Sequence, residues 1–151
     1  MAEAVQQTTD GGYILAGRAS SFWSGNTNVW LIKTDANGNK VWDKTFGGSS
    51  YDEAYAVQQT SDSGYILAGY TRSFGAGEDD AWLIKTDADG NKVWDTTLGG
   101  SNYEEAYAVQ QMSDGGYILA GYTRSFGAGE DDAWLIKTDA NGNKEIGRAH
   151  V

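Results

Sequence analysis

Short runs of alternating hydrophobic and polar residues, separated by turn residues, follow one another along this chain. The pattern is clearest between residues 53 and 98. Alternation with a period of two, bounded by Gly, Asn and Asp, is typical of β-strands joined by tight turns. We therefore predict four strands here, called A to D, at 53–60, 65–71, 80–87 and 92–98. Asp62-Ser63-Gly64 and Asp89-Gly90-Asn91 are hairpin signals, and a glycine-rich loop joins strand B to strand C.

The same pattern returns with a period of 52 residues. The segment 12–17, Gly-Tyr-Ile-Leu-Ala-Gly, recurs intact at 64–69 and at 116–121. A second segment, Trp-Leu-Ile-Lys-Thr-Asp from residue 30, recurs in the same register. Four antiparallel strands in a unit of about 50 residues are the pattern of a β-propeller blade. The chain is therefore predicted to be all-β, a partial β-propeller of three consecutive four-stranded antiparallel blades.

The predicted blade boundaries are 1–52, 53–104 and 105–144. These units resemble kelch-like blades, and more closely the tandem repeats of many secreted bacterial and archaeal proteins, in the motifs Gly-Gly-Tyr-Ile-x-Ala-Gly, Trp-Leu-x-Lys-Thr-Asp and Gly-Asn-x-x-Trp. They depart from kelch where Ala68-Gly69 replaces a glycine doublet, and they lack the Gly-His and Trp-Asp pair of WD40 blades. The resemblance covers residues 1–144 and implies an extracellular or cell-surface module for binding, adhesion or structure.

Neither end of the chain completes a repeat. Met1 aligns with Glu53, inside strand A, and we expect an upstream secretion signal to be missing. After Lys144 the repeat predicts Val-Trp-Asp, but 145–151 read Glu-Ile-Gly-Arg-Ala-His-Val. A DNA string containing a common short-read sequencing adapter encodes these seven residues. We therefore expect a non-native tail and a third blade that lacks its outer strand.

Charge and composition exclude several classes of function. The formal net charge of −10 at pH 7 argues against a nucleic-acid partner, because phosphate binding needs clustered Lys and Arg. No apolar run is long enough to insert into a membrane. The chain has no cysteine, and its single histidine, His150, lies in the predicted tail. A Ser-His-Asp triad, a Cys-His dyad and a His-ligated zinc are thereby excluded from the repeats.

Carboxylate chemistry is still available, because a glycoside hydrolase or lyase uses two carboxylates. A catalytic centre needs residues that differ between blades, whereas residues 53–92 and 105–144 differ at only three positions. Three hypotheses follow: a binding or adhesion propeller, a structural repeat array, and a propeller enzyme whose catalytic residues lie in missing blades. None requires a cofactor. Because three blades cannot close a ring, we expect further blades or self-association.

Acidic residues concentrate in the segments that join strand B to strand C and strand D to the next strand A. In a propeller these segments share one edge of the blades, called here the loop edge. Six of these acids recur on adjacent blades and form the predicted ligand site: Glu78, Asp79, Asp80, Glu130, Asp131 and Asp132. Ca²⁺ is the metal considered, at Asp79, Asp80, Asp131 and Asp132, and a protein or glycan is the alternative ligand. Four tyrosines are predicted to assist: Tyr51, Tyr70, Tyr103 and Tyr122. The competing interpretation is a solvated surface that keeps the protein soluble.

Five tryptophans hold fixed places in the repeat, and we predict that they pack between blades. They are Trp30, Trp42, Trp82, Trp94 and Trp134. Trp23 differs, because it replaces the glycine found at Gly75 and Gly127 in the loop between strands B and C. We therefore add Trp23 to the candidate ligand-binding residues.

Overall fold

A computed structural model describes residues 1–20 and 25–150, which form twelve β-strands. Sheet 1 contains β1 (Ala2–Gln7), β2 (Tyr13–Ser20), β3 (Thr27–Thr34) and β4 (Lys40–Phe46). Sheet 2 contains β5 (Asp52–Gln59), β6 (Tyr65–Thr71), β7 (Asp80–Thr86) and β8 (Lys92–Leu98). Sheet 3 contains β9 (Glu104–Gln111), β10 (Tyr117–Thr123), β11 (Asp132–Thr138) and β12 (Lys144–His150).

Each sheet is built from four consecutive strands, and every pairing within a sheet is antiparallel. The first strands of neighbouring sheets, β1, β5 and β9, contact one another, so they are the inner strands of the assembly. The prediction of three four-stranded antiparallel blades is confirmed. None of the described residues belongs to a helix that is long and apolar enough to cross a membrane.

The third sheet differs from the sequence-based expectation that it would lack its outer strand. Residues Lys144–His150 form β12, which pairs with β11 through partners such as Lys137 and Ile146. Strand pairing uses backbone N–H and C=O groups, so a foreign sequence can take the outer position when its side chains tolerate it. The origin of residues 145–151 stays a prediction.

The hydrophobic core lies between the sheets. One cluster joins the face of sheet 1 that carries Ile14 and Leu31 to the face of sheet 2 that carries Tyr65 and Trp82. A second cluster joins sheet 2 to sheet 3 with the same residue types one repeat later. The predicted packing of tryptophans between blades is confirmed for four of the five, and the fifth, Trp30, belongs to neither cluster. Trp82 and Trp134 are buried, and the rings of Trp42 and Trp94 meet Tyr65 and Tyr117 edge to face at 6.0 and 5.9 Å.

The loop edge forms as predicted, because the two kinds of segment pair with each other. Asp79 and Tyr103 form a parallel bridge, and the backbone N–H of Glu104 donates to the carbonyl of Asp79 at 2.7 Å. The N–H of Glu78 donates to the carbonyl of Asn102 at 3.2 Å. The loop within sheet 2 is thereby tied to the segment that leads into sheet 3.

Candidate functional site

The six acids predicted to form one site have different surroundings. Asp79, Asp80 and Asp132 are buried, whereas Glu78, Glu130 and Asp131 are exposed. Among the described residues, no three or more His, Cys, Asp or Glu side chains lie close enough together to hold a metal ion. The calcium site stays a prediction, and Trp23 lies outside the described residues.

Asp80 and Asp132 hold the glycine-rich loop of their own sheet. The N–H of Gly77 donates to Asp80 Oδ2 at 3.1 Å, and the N–H of Gly129 donates to Asp132 Oδ2 at 3.2 Å. Asp80 and Asp132 are 1% exposed, so they are not accessible to a ligand that stays on the surface. These two acids therefore organise the loop edge.

Asp79 and Asp131 each form an ion pair with an arginine of their own sheet. Arg72 donates to Asp79 through Nε, and Arg124 donates to Asp131 Oδ1 at 2.5 Å. The hydrogen bond to Asp131 is the main reason that the pKa of Arg124 is raised above its usual value. The guanidinium of Arg124 also lies 5.5 Å from the ring centroid of Tyr103, in cation–π geometry.

Glu78 and Glu130 face solvent and form no ion pair among the described residues, whereas the exposed Asp131 is paired with Arg124. Glu78 accepts a hydrogen bond from the Tyr103 hydroxyl. Glu130 borders an open cavity of about 360 Å³ together with Asn102, Tyr103 and Arg124. The loop edge therefore offers isolated acids beside tyrosines, because Asp79 and Asp131 are paired with arginines and Asp80 and Asp132 are buried.

Four tyrosines on the first two strands of sheets 2 and 3 lie side by side, and we call them the tyrosine row: Tyr55, Tyr70, Tyr107 and Tyr122. The ring centroid of Tyr55 lies 5.9 Å from that of Tyr70 and 4.9 Å from that of Tyr107. The ring centroids of Tyr107 and Tyr122 are 6.1 Å apart. The row crosses from sheet 2 to sheet 3. Tyr107 is 50% exposed, so a ligand can reach the ring.

Glu105 is the carboxylate of this row that has no ion-pair partner among the described residues. It lies opposite Tyr122 in the strand pairing and accepts a hydrogen bond of 2.7 Å from the Tyr107 hydroxyl. One repeat earlier, the equivalent Glu53 accepts a hydrogen bond of 3.0 Å from Arg18 Nη1. The residue that corresponds to Arg18 in the next repeat is Tyr70. The second repeat thus has a tyrosine where the first has an arginine, and Glu105 has no cation beside it to form an ion pair.

The electrostatics of the row agree with this geometry. Burial, and then the charge of Glu105, raise the pKa of Tyr122 to about 12. The pKa of Tyr107 is also raised, by burial and by its hydrogen bond to Glu105. Both phenols therefore keep their protons at neutral pH, and the row presents ring faces, hydroxyl groups and one uncompensated carboxylate.

Sequence reasoning included Tyr70 and Tyr122 but placed them with the loop edge, and it missed Tyr55, Tyr107 and the role of Glu105. The signal was available in the repeat alignment. Glu105 and Tyr107 are only two residues apart, although a bulge between Ala106 and Ala108 breaks the regular alternation of β9 at this point. The exchange of Arg18 for Tyr70 is also visible in the printed sequence.

The fold defines the class of the protein: three consecutive blades of a β-propeller, with their first strands innermost. No protein-family model matches the chain, and a search of curated proteins finds no match either.

Proposed function

We propose that the chain is a binding module, part of a secreted or cell-surface propeller, and that the tyrosine row with Glu105 takes a cationic side chain of a partner protein. The observation that carries the proposal is the unpaired carboxylate of Glu105 beside Tyr107 and Tyr122. Carboxylates and the faces of aromatic rings both attract guanidinium and ammonium groups.

Arg18 is an internal precedent for the ligand. At the junction of sheets 1 and 2, its guanidinium supplies the positive charge that Glu53 needs. At the junction of sheets 2 and 3, Tyr70 holds the corresponding position and supplies none. An arginine or lysine of a partner would form an ion pair with Glu105, as Arg18 does with Glu53.

The net charge supports the same class of partner. A chain with a formal charge of −10 attracts basic surfaces over several ångströms and accelerates their association. A glycan is the alternative ligand, because ring faces and carboxylates also suit sugars, and it becomes one arm of the test.

The experiment measures binding of an octa-arginine peptide by calorimetry, with an uncharged chito-oligosaccharide as the second probe. Glu105→Gln removes the carboxylate of the row, and Glu130→Gln makes the same charge change on the loop edge. We expect Glu105→Gln to weaken peptide binding by about 1.5–3 kcal/mol, roughly ten- to a hundredfold, the usual range for a hydrogen bond to a charged group. Glu130→Gln should change it much less. Equal losses of peptide affinity in both variants would contradict the proposed site. Tight binding of the sugar without binding of the peptide would indicate a glycan as the ligand instead.

A further inference from the structure

The junction between neighbouring sheets is built twice from the same parts. Each sheet has a front face, which packs on the following sheet, and a back face, which packs on the preceding one. In the junction of sheets 2 and 3, Ile66 and Leu83 of the front face pack in one buried cluster with Tyr117 and Trp134 of the back face. The equivalent residues of sheets 1 and 2 form the other cluster.

Two faces of this kind are left without a neighbour in the part of the chain that the structure describes. On the front of sheet 3, Leu135 is 42% exposed, whereas its repeat equivalent Leu83 is 0% exposed. On the back of sheet 1, Tyr13 is 36% exposed, whereas its equivalent Tyr65 is 2% exposed. Val5, on the same back face, is 65% exposed.

These two open faces match each other, because the repeat makes them copies of faces that already pack together. The front of sheet 3 keeps four residue types of the front of sheet 2, at Ile118, Ala120, Ala133 and Leu135. The back of sheet 1 keeps four residue types of the backs of sheets 2 and 3, at Tyr13, Leu15, Trp30 and Ile32. At these positions of the two middle strands, the front face of sheet 3 is therefore complementary in residue type to the back face of sheet 1. In the outer strand, Ile146 stands where sheet 2 has Trp94.

We propose that the front of sheet 3 packs on the back of sheet 1 of a second copy of this chain, and that two copies close into one six-sheet ring. The contact continues the two junctions seen within the chain. A head-to-tail contact gives a closed ring when its rotation closes, and propellers close with four to eight blades. Closure would cover both open faces of each copy.

The test is the mass of the full chain by size exclusion with light scattering, over the widest accessible range of concentration. We expect twice the 16.2 kDa chain mass for the unmodified protein. Leu135→Lys charges the front face and Val5→Asp charges the back face, and each variant should lose the dimer. Val93→Lys is the matched control, since Val93 is 61% exposed in an outer strand, and it should remain dimeric.

Mixing the two variants sharpens the test. A pair made of one Leu135→Lys copy and one Val5→Asp copy has one unmodified junction and one junction of opposite charges, so the mixture should regain the double mass. Circular dichroism of each variant establishes that it is folded. A single-chain mass for the unmodified protein, a series of open-ended larger species, or a mixture that stays at the single-chain mass would overturn the proposal.

Discussion

Asp80 and Glu104 bring two buried carboxylates together at the junction of sheets 2 and 3. Asp80 is 1% exposed and Glu104 is 0% exposed. A Cβ atom added to Gly99 would lie within 3.0 Å of both Asp80 Oδ1 and Glu104 Oε2, so the two oxygens border the same small space. Asp80 Oδ1 has no hydrogen-bond partner among the described residues. Glu104, in contrast, accepts hydrogen bonds from Thr123 and from the backbone N–H of Gly100.

The same arrangement occurs one junction earlier with a neutral residue. There Asn28 replaces Asp80 and Asp52 replaces Glu104, and both border the space beside Gly47. An Asn side chain that turns its NH₂ group toward a carboxylate can donate a hydrogen bond without carrying charge. Asp80 can make an equivalent contact only while it is protonated.

The first prediction concerns the pH dependence of stability. Burial raises the pKa of Asp80, and Glu104 and Asp79 raise it further. The folded chain therefore holds this proton more tightly than the unfolded chain, and the associated stability is lost as the pH rises from about 3.9, the usual Asp value, through the folded pKa. In the Asp80→Asn variant, stability should fall less as the pH rises. The variant should therefore melt at a higher temperature than the unmodified protein at neutral pH.

Thermal melts of both proteins between acid and neutral pH provide the measurement. Asp89→Asn, in an exposed turn, is the control for removing one negative charge. If the melting temperatures of Asp80→Asn and the unmodified protein run parallel with pH, the carboxyl pair does not govern this part of the curve.

The second prediction concerns the space beside Gly99. Gly99→Ala would push a methyl group against both buried carboxylates, and Glu104 has little freedom to move because its oxygens are already bonded. We expect a loss of about 1–3 kcal/mol in the free energy of unfolding, the usual cost of overpacking. Gly129→Ala is the control, because its nearest neighbour would be Asp132 Oδ1 at 3.4 Å. Denaturant titrations that give equal losses would contradict the tight packing at Gly99.

The strands could be predicted closely from the sequence because turn residues mark both ends of each one. Predicted strands B and D of the second unit, 65–71 and 92–98, coincide with β6 and β8. Strand A was displaced by one residue from β5. The outer strand of sheet 3 could not be predicted, since backbone pairing accepts a sequence that breaks the repeat.

The candidate site was harder to predict because spacing does not reveal burial. Glu78, Asp79 and Asp80 are adjacent in sequence, yet one is exposed, one is paired with Arg72, and one lies in the junction of two sheets. The position of Glu105 against Tyr107 and Tyr122 is set within sheet 3 by the pairing of β9 with β10. The approach of Tyr55 to Tyr107 depends on how sheets 2 and 3 stack. That stacking follows from the three-dimensional packing and is not a property of any one repeat.

The most direct test of the binding role is the Tyr70→Arg variant, which places in sheet 2 the residue that Arg18 provides in sheet 1. Its guanidinium should pair with Glu105 as Arg18 pairs with Glu53. The measurement is calorimetric titration of folded Tyr70→Arg with octa-arginine, beside Tyr51→Arg, which adds the same charge on the loop edge. We predict that Tyr70→Arg loses most of the affinity of the unmodified protein and that Tyr51→Arg loses much less. Undiminished binding by Tyr70→Arg would contradict the assignment of Glu105 and the tyrosine row as the site for a cationic partner.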